Sequence, residues 1–239
     1  MSKSISQGNV HGTIVYEDRV EQLLNPAFAV PSKDKTNRLN RFLRKNGIGV
    51  ALIIEQTKEK RVMERLDGAF YDKLDKAQRK KAMGFLRKLH NVLERYGKRD
   101  ALNQFYLVSQ FRKGDELIWG DTKVSNILWK DNEPVGIVDY DTVSLGSVWY
   151  DVFMALATWG NDISYEEMSD LIATYLGVID VSGIGWEVEF RRFALLKIKE
   201  MAINAFGLGY FVPRPLPYYK ERIKHLNRLY EESFVWGSI

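Results

Sequence analysis

The sequence contains no cysteine, which excludes disulfide bonds and thiolate metal sites and agrees with a reducing compartment. It also lacks any apolar run near the ~20 residues that a membrane-spanning helix requires. The segment from Met1 to Gly8 has no apolar stretch of the kind found in a signal peptide. Together these absences predict a cytoplasmic protein without a membrane partner.

A strong charge imbalance is also absent. The formal net charge is +4 at pH 7 and the isoelectric point is about 9.0, with basic residues spread along the predicted helices. Such a spread is typical of a solvated surface, and the mildly positive net charge suits an anionic ligand such as ATP. A basic protein that binds nucleic acid is a weaker alternative, since the sequence contains no nucleic-acid recognition motif. No prediction of oligomeric state follows.

The chain does have enough apolar material for a full core, with 45% apolar and 13% aromatic residues among 239. Its first part is rich in strand patterns. Four segments are predicted as strands: residues 12–16, 19–24, 50–54 and 61–66. A helix is predicted between them over residues 35–45, where Leu39, Phe42 and Leu43 recur at helical spacing.

The remainder of the chain is predicted to be mainly helical. Apolar residues such as Leu86, Leu89 and Leu93 lie on one face of a long helix over residues 78–96. Further helices are predicted at residues 148–159, 165–176, 186–206 and 218–233, with a proline-rich loop at 207–217. Most aromatic residues of this part are predicted to pack in its core, while Tyr210 and Phe211 are candidates for a pocket that binds a cationic substrate.

An ordered set of polar residues lies between these parts. Asp121 is followed five residues later by Asn126, and Asp139 comes after an apolar strand, a turn and a second apolar strand. Phosphoryl transfer requires such a set, because one carboxylate orients the attacking hydroxyl while an amide oxygen and a second carboxylate hold Mg²⁺. Asp121 alone has the simpler interpretation of a turn-capping loop residue, and the order of the three residues argues against it.

This stretch resembles the aminoglycoside phosphotransferase and choline kinase-like family, whose pattern is His-Gly-Asp, four residues, Asn, and then Ile-Asp-Phe/Tyr-Asp. The sequence has Trp119-Gly-Asp121, four residues, Asn126, and later Ile137-Val-Asp139-Tyr-Asp141. A Leu-His pair at His90 and the later Gly146 and Asp151 also agree with the family. The likeness is good from about residue 66 to residue 159 and poor on either side.

The resemblance implies an α+β, two-lobed protein kinase-like fold. A small strand-rich N-lobe would span residues 1–67 and cover the nucleotide, and a mostly helical C-lobe would span residues 68–239. It implies a phosphotransferase that uses ATP and Mg²⁺ and acts on a hydroxyl of a small molecule. Substrates in the family include aminoglycosides, choline, homoserine and sugars, and the sequence does not choose among them.

Roles for individual residues follow from the same resemblance. Asp121 is the expected catalytic base, and Asn126 and Asp139 are the expected Mg²⁺ ligands. Asp151 is expected to brace the catalytic loop by accepting backbone N–H bonds. Asp141 is either a helper of the site or a turn cap. His90 is expected to be a core histidine satisfied by a hydrogen bond rather than a ligand.

Nucleotide contacts are predicted from position. Main-chain groups at the lobe junction would hold adenine, and the residues there are Met63, Glu64, Arg65 and Leu66. Lys123 either neutralises charge on the transferring phosphoryl group or is a solvated loop lysine. Arg19 and Arg61 open two of the predicted strands and are interpreted as surface charges rather than as phosphate ligands.

Two departures from the family motivate an alternative. Trp119 replaces the usual histidine, which braces the metal-binding loop, and no glycine-rich loop or strand lysine of the Val-Ala-Ile-Lys type is present. The chain is therefore either an active phosphotransferase or a kinase-like regulatory module with weak or no catalysis. Under the first hypothesis Trp119 packs its ring into the core beside the catalytic loop, and other groups hold the loop that carries Asp139.

Overall fold

The computed structural model of the chain describes residues 4–7, 12–24, 30–97, 102, 114–205 and 216–236. Its N-terminal part is a five-stranded sheet in the order β1-β2-β3-β5-β4. The strands are β1 (Ser4–Gln7), β2 (Gly12–Val15), β3 (Arg19–Leu23), β4 (Ile53–Gln56) and β5 (Lys60–Glu64). The four predicted strands are present, although the one predicted at residues 50–54 lies at Ile53–Gln56, and the prediction missed β1 because Ile5 is its one apolar residue.

Helix α1 (Lys33–Lys45) is fixed to this sheet by buried amide side chains. Asn37 donates to the carbonyl of Ile53 and accepts from its N–H, both at 2.8 Å. Asn40, which is fully buried, donates to the carbonyl of Ala51 at 2.7 Å. These bonds satisfy backbone groups just before and at the start of β4 that would otherwise be buried without partners.

The C-terminal part is helical, as predicted. The helices are α2 (Lys76–Tyr96), α3 (Val148–Thr158), α4 (Tyr165–Leu176), α5 (Trp186–Ala205) and α6 (Leu216–Trp236). A reciprocal capping box between Asp75 and Gln78 starts α2. Helix α6 begins before Pro217, which lies in its first turn, so the predicted loop is shorter at that end. Tyr210 and Phe211 lie outside the described residues.

Two small antiparallel sheets carry the segment between α2 and α3. Strand β6 (Glu116–Ile118) pairs with β9 (Ser144–Gly146), and β7 (Ile127–Lys130) forms a hairpin with β8 (Glu133–Ile137). Asp131 and Asn132 form the hairpin turn with φ values of 51° and 61°. Positive φ at both turn residues matches the right-handed twist of the strands, and Asp and Asn tolerate it well.

The hairpin also contacts the N-terminal part of the chain. Gly49 donates to the carbonyl of Val135, and Ile137 donates to the carbonyl of Gly49, each at 2.8 Å. A Cβ atom on Gly136 would lie 2.1 Å from the oxygen of Gly49, so this close backbone approach requires glycine.

The largest side chains of the core belong to the C-terminal part. Trp119, Trp129, Phe153, Phe190 and Phe193 are all at most 1% exposed. Trp159, Trp186 and Tyr219 are buried as well, as expected for core aromatic residues, whereas Tyr218 is exposed. Within the described ranges, every helix is too short or too polar to cross a membrane.

The fold class predicted from the sequence agrees with this α+β arrangement of a strand-rich start and a helical remainder. The sheet ends at Glu64 and α2 begins at Lys76, so the proposed lobe boundary at residue 67 falls in the connection between them. The division into residues 1–67 and 68–239 remains a prediction.

A buried arginine joins α2 to α4. Arg79, which the helix pattern places among surface basic residues, is 4% exposed and contacts Glu167 at 2.7 Å and Asp162 at 2.9 Å. Arg79→Met should lower the free energy of unfolding by about 3–5 kcal/mol, because the buried carboxylate of Glu167 loses its partner.

Chemical denaturation of the variant and the parent measures this loss. Lys81→Met is the matched control on the same helix, because its partner Glu133 is exposed and the pair should contribute at most about 1 kcal/mol. Equal effects of the two substitutions would contradict the role given to Arg79.

Candidate active site

A buried carboxylate at the start of α3 organises the segment before the predicted base. Asp151 is fully buried and accepts hydrogen bonds from the N–H groups of Trp119 at 2.7 Å and Gly120 at 2.8 Å. His90 contacts the same carboxylate through Nε2 at 2.9 Å and the hydroxyl of Tyr175 through Nδ1 at 2.8 Å. Asp151 and His90 therefore lie where the sequence analysis placed them, as supports behind the loop.

The next residues are fixed by further contacts to α3 and its C-terminal end. The Thr122 hydroxyl donates to the carbonyl of Asp151 at 3.1 Å, and the Trp159 indole donates to the carbonyl of Thr122 at 2.6 Å. Gly120 has φ of +88°, and a Cβ atom there would lie 2.9 Å from the carbonyl of Thr142. Only glycine fits this turn without strain, and the turn delivers Asp121 to its position.

Asp121 and Asn126 are in direct contact. The amide nitrogen of Asn126 donates to the Asp121 carboxylate at 2.9 Å and to its backbone carbonyl at 3.1 Å. A short 3-10 turn over Val124–Asn126 makes this contact possible across the five-residue spacing. Both bonds use the amide nitrogen, so the amide oxygen remains available as a metal ligand.

Lys123 lies on the open side of the same carboxylate. Its ammonium group is 2.8 Å from the carboxylate of Asp121, and the lysine side chain is 40% exposed. The lysine is therefore part of the site rather than a distant loop residue. Its position allows it to neutralise either the carboxylate or an incoming anion.

Asp139 follows β8 in a left-handed conformation, with φ of 54° and ψ of 54°. Its side chain is accessible to solvent, yet surrounding protein limits the hydration of the carboxylate. This loss of hydration, together with the charges of Asp121 and Asp141, raises the pKa of Asp139 to about 6, while Lys123 and Arg61 act in the opposite direction. Three neighbouring carboxylates form an environment that a divalent cation would neutralise.

The donor set fits Mg²⁺ with ligands shared between protein and phosphate. Nowhere in the described part of the chain do three or more His, Cys, Asp or Glu side chains group closely enough to hold a metal by themselves. Asp139 offers a carboxylate and Asn126 an amide oxygen, both hard ligands. Mg²⁺ commonly takes one or two protein ligands and completes its shell with water and phosphate oxygens.

Trp119 performs part of the task that was expected of other groups. Its ring is 1% exposed in the core, as predicted, but its indole N–H also donates to the backbone carbonyl of Asp139 at 3.2 Å. Thr142 bonds the carbonyl of Trp119 at 2.8 Å and that of Asp139 at 3.4 Å. Thr142 is thus one of the other groups expected to hold the loop, and the indole of Trp119, which was expected only to pack in the core, holds it as well.

Arg61 is the residue that sequence reasoning placed incorrectly. It is 2% exposed, and its guanidinium contacts the carboxylate of Asp141 at 2.7 Å. The expectation of a surface charge is wrong because the guanidinium is covered on its face of the sheet and pairs with Asp141, eighty residues later in the chain. Arg19, in contrast, is paired with Asp18 and Glu21 at the surface.

The predicted adenine segment follows at the end of β5. The backbone N–H of Glu64 already donates to the carbonyl of Leu52 at 3.0 Å, and Arg65 bonds the carbonyls of Tyr16 and Glu17. Met63 contacts the hydroxyl of Tyr140. The role of residues 63–66 in holding a nucleotide remains a prediction.

The comparisons with known proteins agree with this site. A family model described as the phosphotransferase enzyme family matches residues 115–188, a segment that contains Asp121, Asn126, Asp139 and Asp151. A search of curated protein sequences found no significant match. The family match confirms the resemblance drawn from the sequence and supports an enzyme of the phosphotransferase class.

Solved structures of kinase-like phosphotransferases share the fold. A choline/ethanolamine kinase family protein from Mesorhizobium loti is 12% identical with a TM-score of 0.66, covering 98% of this chain and 92% of that one. Plasmodium vivax ethanolamine kinase is 14% identical with a TM-score of 0.66, covering 97% and 84%. The ADP-bound aminoglycoside phosphotransferase APH(2'')-Ib is 14% identical with a TM-score of 0.59, covering 98% and 94%.

The bracing of the loop gives a direct test. Asp151→Asn keeps the shape of the side chain but points an NH₂ group toward N–H donors, so at least one buried donor loses its acceptor. The free energy of unfolding should fall by about 1–3 kcal/mol, and hydrogen exchange at the amides of Trp119 and Gly120 should accelerate.

Asp170→Asn is the matched control, because Asp170 is an exposed residue of α4. Unchanged exchange at Trp119 and Gly120 in Asp151→Asn would show that other groups hold this loop.

Proposed function

We propose that the protein is an ATP- and Mg²⁺-dependent phosphotransferase that acts on a hydroxyl of a small molecule. The observation that carries this proposal is the meeting of Asp121, Asn126 and Asp139 in the segment matched by the phosphotransferase family. ADP- and GDP-bound neighbours of the same fold support the use of a nucleotide. Aminoglycosides and ethanolamine appear in the names of the neighbouring structures. For this chain the proposed acceptor is a small molecule with a hydroxyl.

Asp121 would act as the base. Its carboxylate orients the acceptor hydroxyl and takes the proton as the hydroxyl oxygen bonds to the terminal phosphorus. The bond from that phosphorus to the bridging oxygen of ATP breaks, and ADP leaves with the electron pair. Asn126 holds the carboxylate in place, so no rotation of Asp121 is needed during the reaction.

Lys123 would supply positive charge beside the reaction. Its ammonium group contacts Asp121 and is partly exposed. The terminal phosphoryl group of ATP can therefore replace Asp121 as the partner of this ammonium group. The exchange frees the Asp121 carboxylate to accept a proton from the hydroxyl. The ammonium then stabilises negative charge on the phosphoryl oxygens where it develops.

Asn126 and Asp139 would hold the metal through their oxygens. Mg²⁺ bound there supplies charge neutralisation of the ATP phosphates. Trp119 and Thr142 keep the Asp139 backbone in place through its carbonyl. Since this loop is held despite the missing histidine, the geometry favours an active enzyme over the regulatory module.

The metal role can be tested with Asp139→Asn, which suits the left-handed backbone better than alanine would. Loss of the anionic ligand should weaken Mg²⁺-dependent ATP binding by about tenfold or more. Binding of ATP without Mg²⁺ should not weaken, because no metal-mediated contact is lost and one negative charge beside the phosphates is removed. Isothermal titration with and without Mg²⁺ measures both quantities.

Asp170→Asn serves again as the control for this titration, because it changes charge by the same amount outside the site. An unchanged affinity of Asp139→Asn for Mg-ATP would remove Asp139 from the metal site.

The base can be tested with Asp121→Asn, which preserves shape but cannot accept a proton. Turnover should fall by about 10²–10⁴-fold, while Mg-ATP binding persists. Phosphoryl transfer to an acceptor found by screening hydroxyl compounds, or slow ATP hydrolysis, provides the rate. Turnover within a few-fold of the parent would exclude Asp121 as the base.

A further inference from the structure

Arg61 lies on β5, between β3 and β4 of the N-terminal sheet. It pairs with Gln22 of β3 on one side and Gln56 of β4 on the other. Directly opposed residues of neighbouring strands share a face of the sheet, so all three side chains project the same way. The guanidinium reaches beyond this face to Asp141, eighty residues later in the chain.

The hydrogen bonds of Arg61 leave part of its fork unused. Nη1 donates to Asp141 at 2.7 Å and to Gln22 at 3.4 Å, and Nε donates to Gln56 at 3.2 Å. Among the residues that the structure describes, Nη2 is buried without a hydrogen-bond partner, and so is Oδ1 of Asp141. A buried donor without an acceptor is costly, which indicates that another group accepts a hydrogen bond from Nη2.

This incomplete pair adjoins the candidate metal site. Asp141 follows Asp139 by two residues, and a short 3-10 turn over Tyr140–Thr142 connects them. Arg61 and Lys123 are cations whose charges both act on the Asp139 carboxylate. Lys123 contacts Asp121 in the loop before β7, whereas Arg61 contacts Asp141 from the sheet, so an anion beside Asp139 would meet positive charge from both parts of the chain.

We infer that Arg61 is the cation that holds the nucleotide phosphates from the sheet side, with Asp141 as the residue that positions it. The inference rests on the proposed function and assigns one step of nucleotide binding to a named residue. A guanidinium suits this task because its planar fork donates to a carboxylate and a phosphate at the same time. The residue opposite Arg61 on β3 is Gln22, whose side chain is neutral. At this pair of positions the positive charge is therefore supplied by β5.

A purely structural ion pair accounts for fewer of these observations. It would use one edge of the guanidinium and leave Nη2 buried without a partner. Buried ion pairs of this kind are often no more stable than an apolar pair of the same volume. A phosphate group beside Nη2 gives the unused donor an acceptor.

The test compares Arg61→Met with Arg19→Met, the same substitution at a paired surface arginine of the same sheet. The probes are Mg-ATP, ADP and adenosine, titrated against each folded protein. Arg61→Met should bind Mg-ATP and ADP about 10- to 100-fold more weakly, the loss expected for hydrogen bonds to a charged group. Adenosine affinity should be unchanged, and Arg19→Met should match the parent with every probe.

Each other result overturns the inference in a distinct way. A folded Arg61→Met that binds Mg-ATP within twofold of the parent removes Arg61 from the phosphate site and leaves the proposed function intact. An equal loss for adenosine shows a disturbed cleft rather than a lost phosphate contact. An equal loss in Arg19→Met assigns the effect to general charge. A parent that binds neither ATP nor GTP contradicts the proposed function itself.

Arg61→Gln provides a second variant if the methionine side chain prevents folding. Glutamine is neutral but can still bond Gln22 and Gln56 within the sheet. The same selective loss of Mg-ATP and ADP binding is expected, again without a change for adenosine. Failure of both variants to fold without nucleotide would show that Arg61 stabilises the empty protein, and the inference would be wrong.

Discussion

The hydrogen bonds accepted by Asp151 are the interaction on which the candidate site depends. A fully buried carboxylate is costly unless its charge is met by donors. Here the donors are two consecutive backbone N–H groups and an imidazole, and the carboxylate also lies in the first turn of α3, where the helix dipole favours negative charge. Because the charge requires these donors, the backbone before Asp121 is held against α3.

Hydrogen bonds continue from Asp151 to the loop that carries Asp139. Trp119 is fixed through its backbone by Asp151 and through its indole it reaches the carbonyl of Asp139. Val138 in turn donates to the carbonyl of Asn126 at 2.9 Å. One buried charge is thereby linked, through successive bonds, to Asp121, Asn126 and Asp139.

The ordered polar set was readable from the sequence because its spacing follows from chain geometry. A turn brings Asn126 back to Asp121, and a tight hairpin returns the chain to Asp139. The helices were readable for a similar reason, since α2 and α4 have clear apolar faces and caps. These features depend on residues close together along the chain.

What could not be read depends on contacts between distant residues. Arg61 and Asp141 meet only after the sheet has packed over the catalytic segment, so no local pattern marks them as partners. The same holds for Arg79, which a helical wheel assigns to the surface and which α4 then covers. The indole of Trp119 has the donor that a histidine would supply, and only the packed structure shows where it points.

The close approach of Gly49 and Gly136 has a consequence for motion. The two backbone bonds there tie the segment between α1 and β4 to the hairpin strand that leads to Asp139. A rotation of the sheet against the helical part must either break these bonds or turn about them. If these bonds persist, the contact between Gly49 and Gly136 is a pivot close to the loop that carries Asp139. The far edge of the sheet then moves the most, and Asp139 moves very little. Movement of the sheet and preservation of the geometry around Asp139 are then compatible.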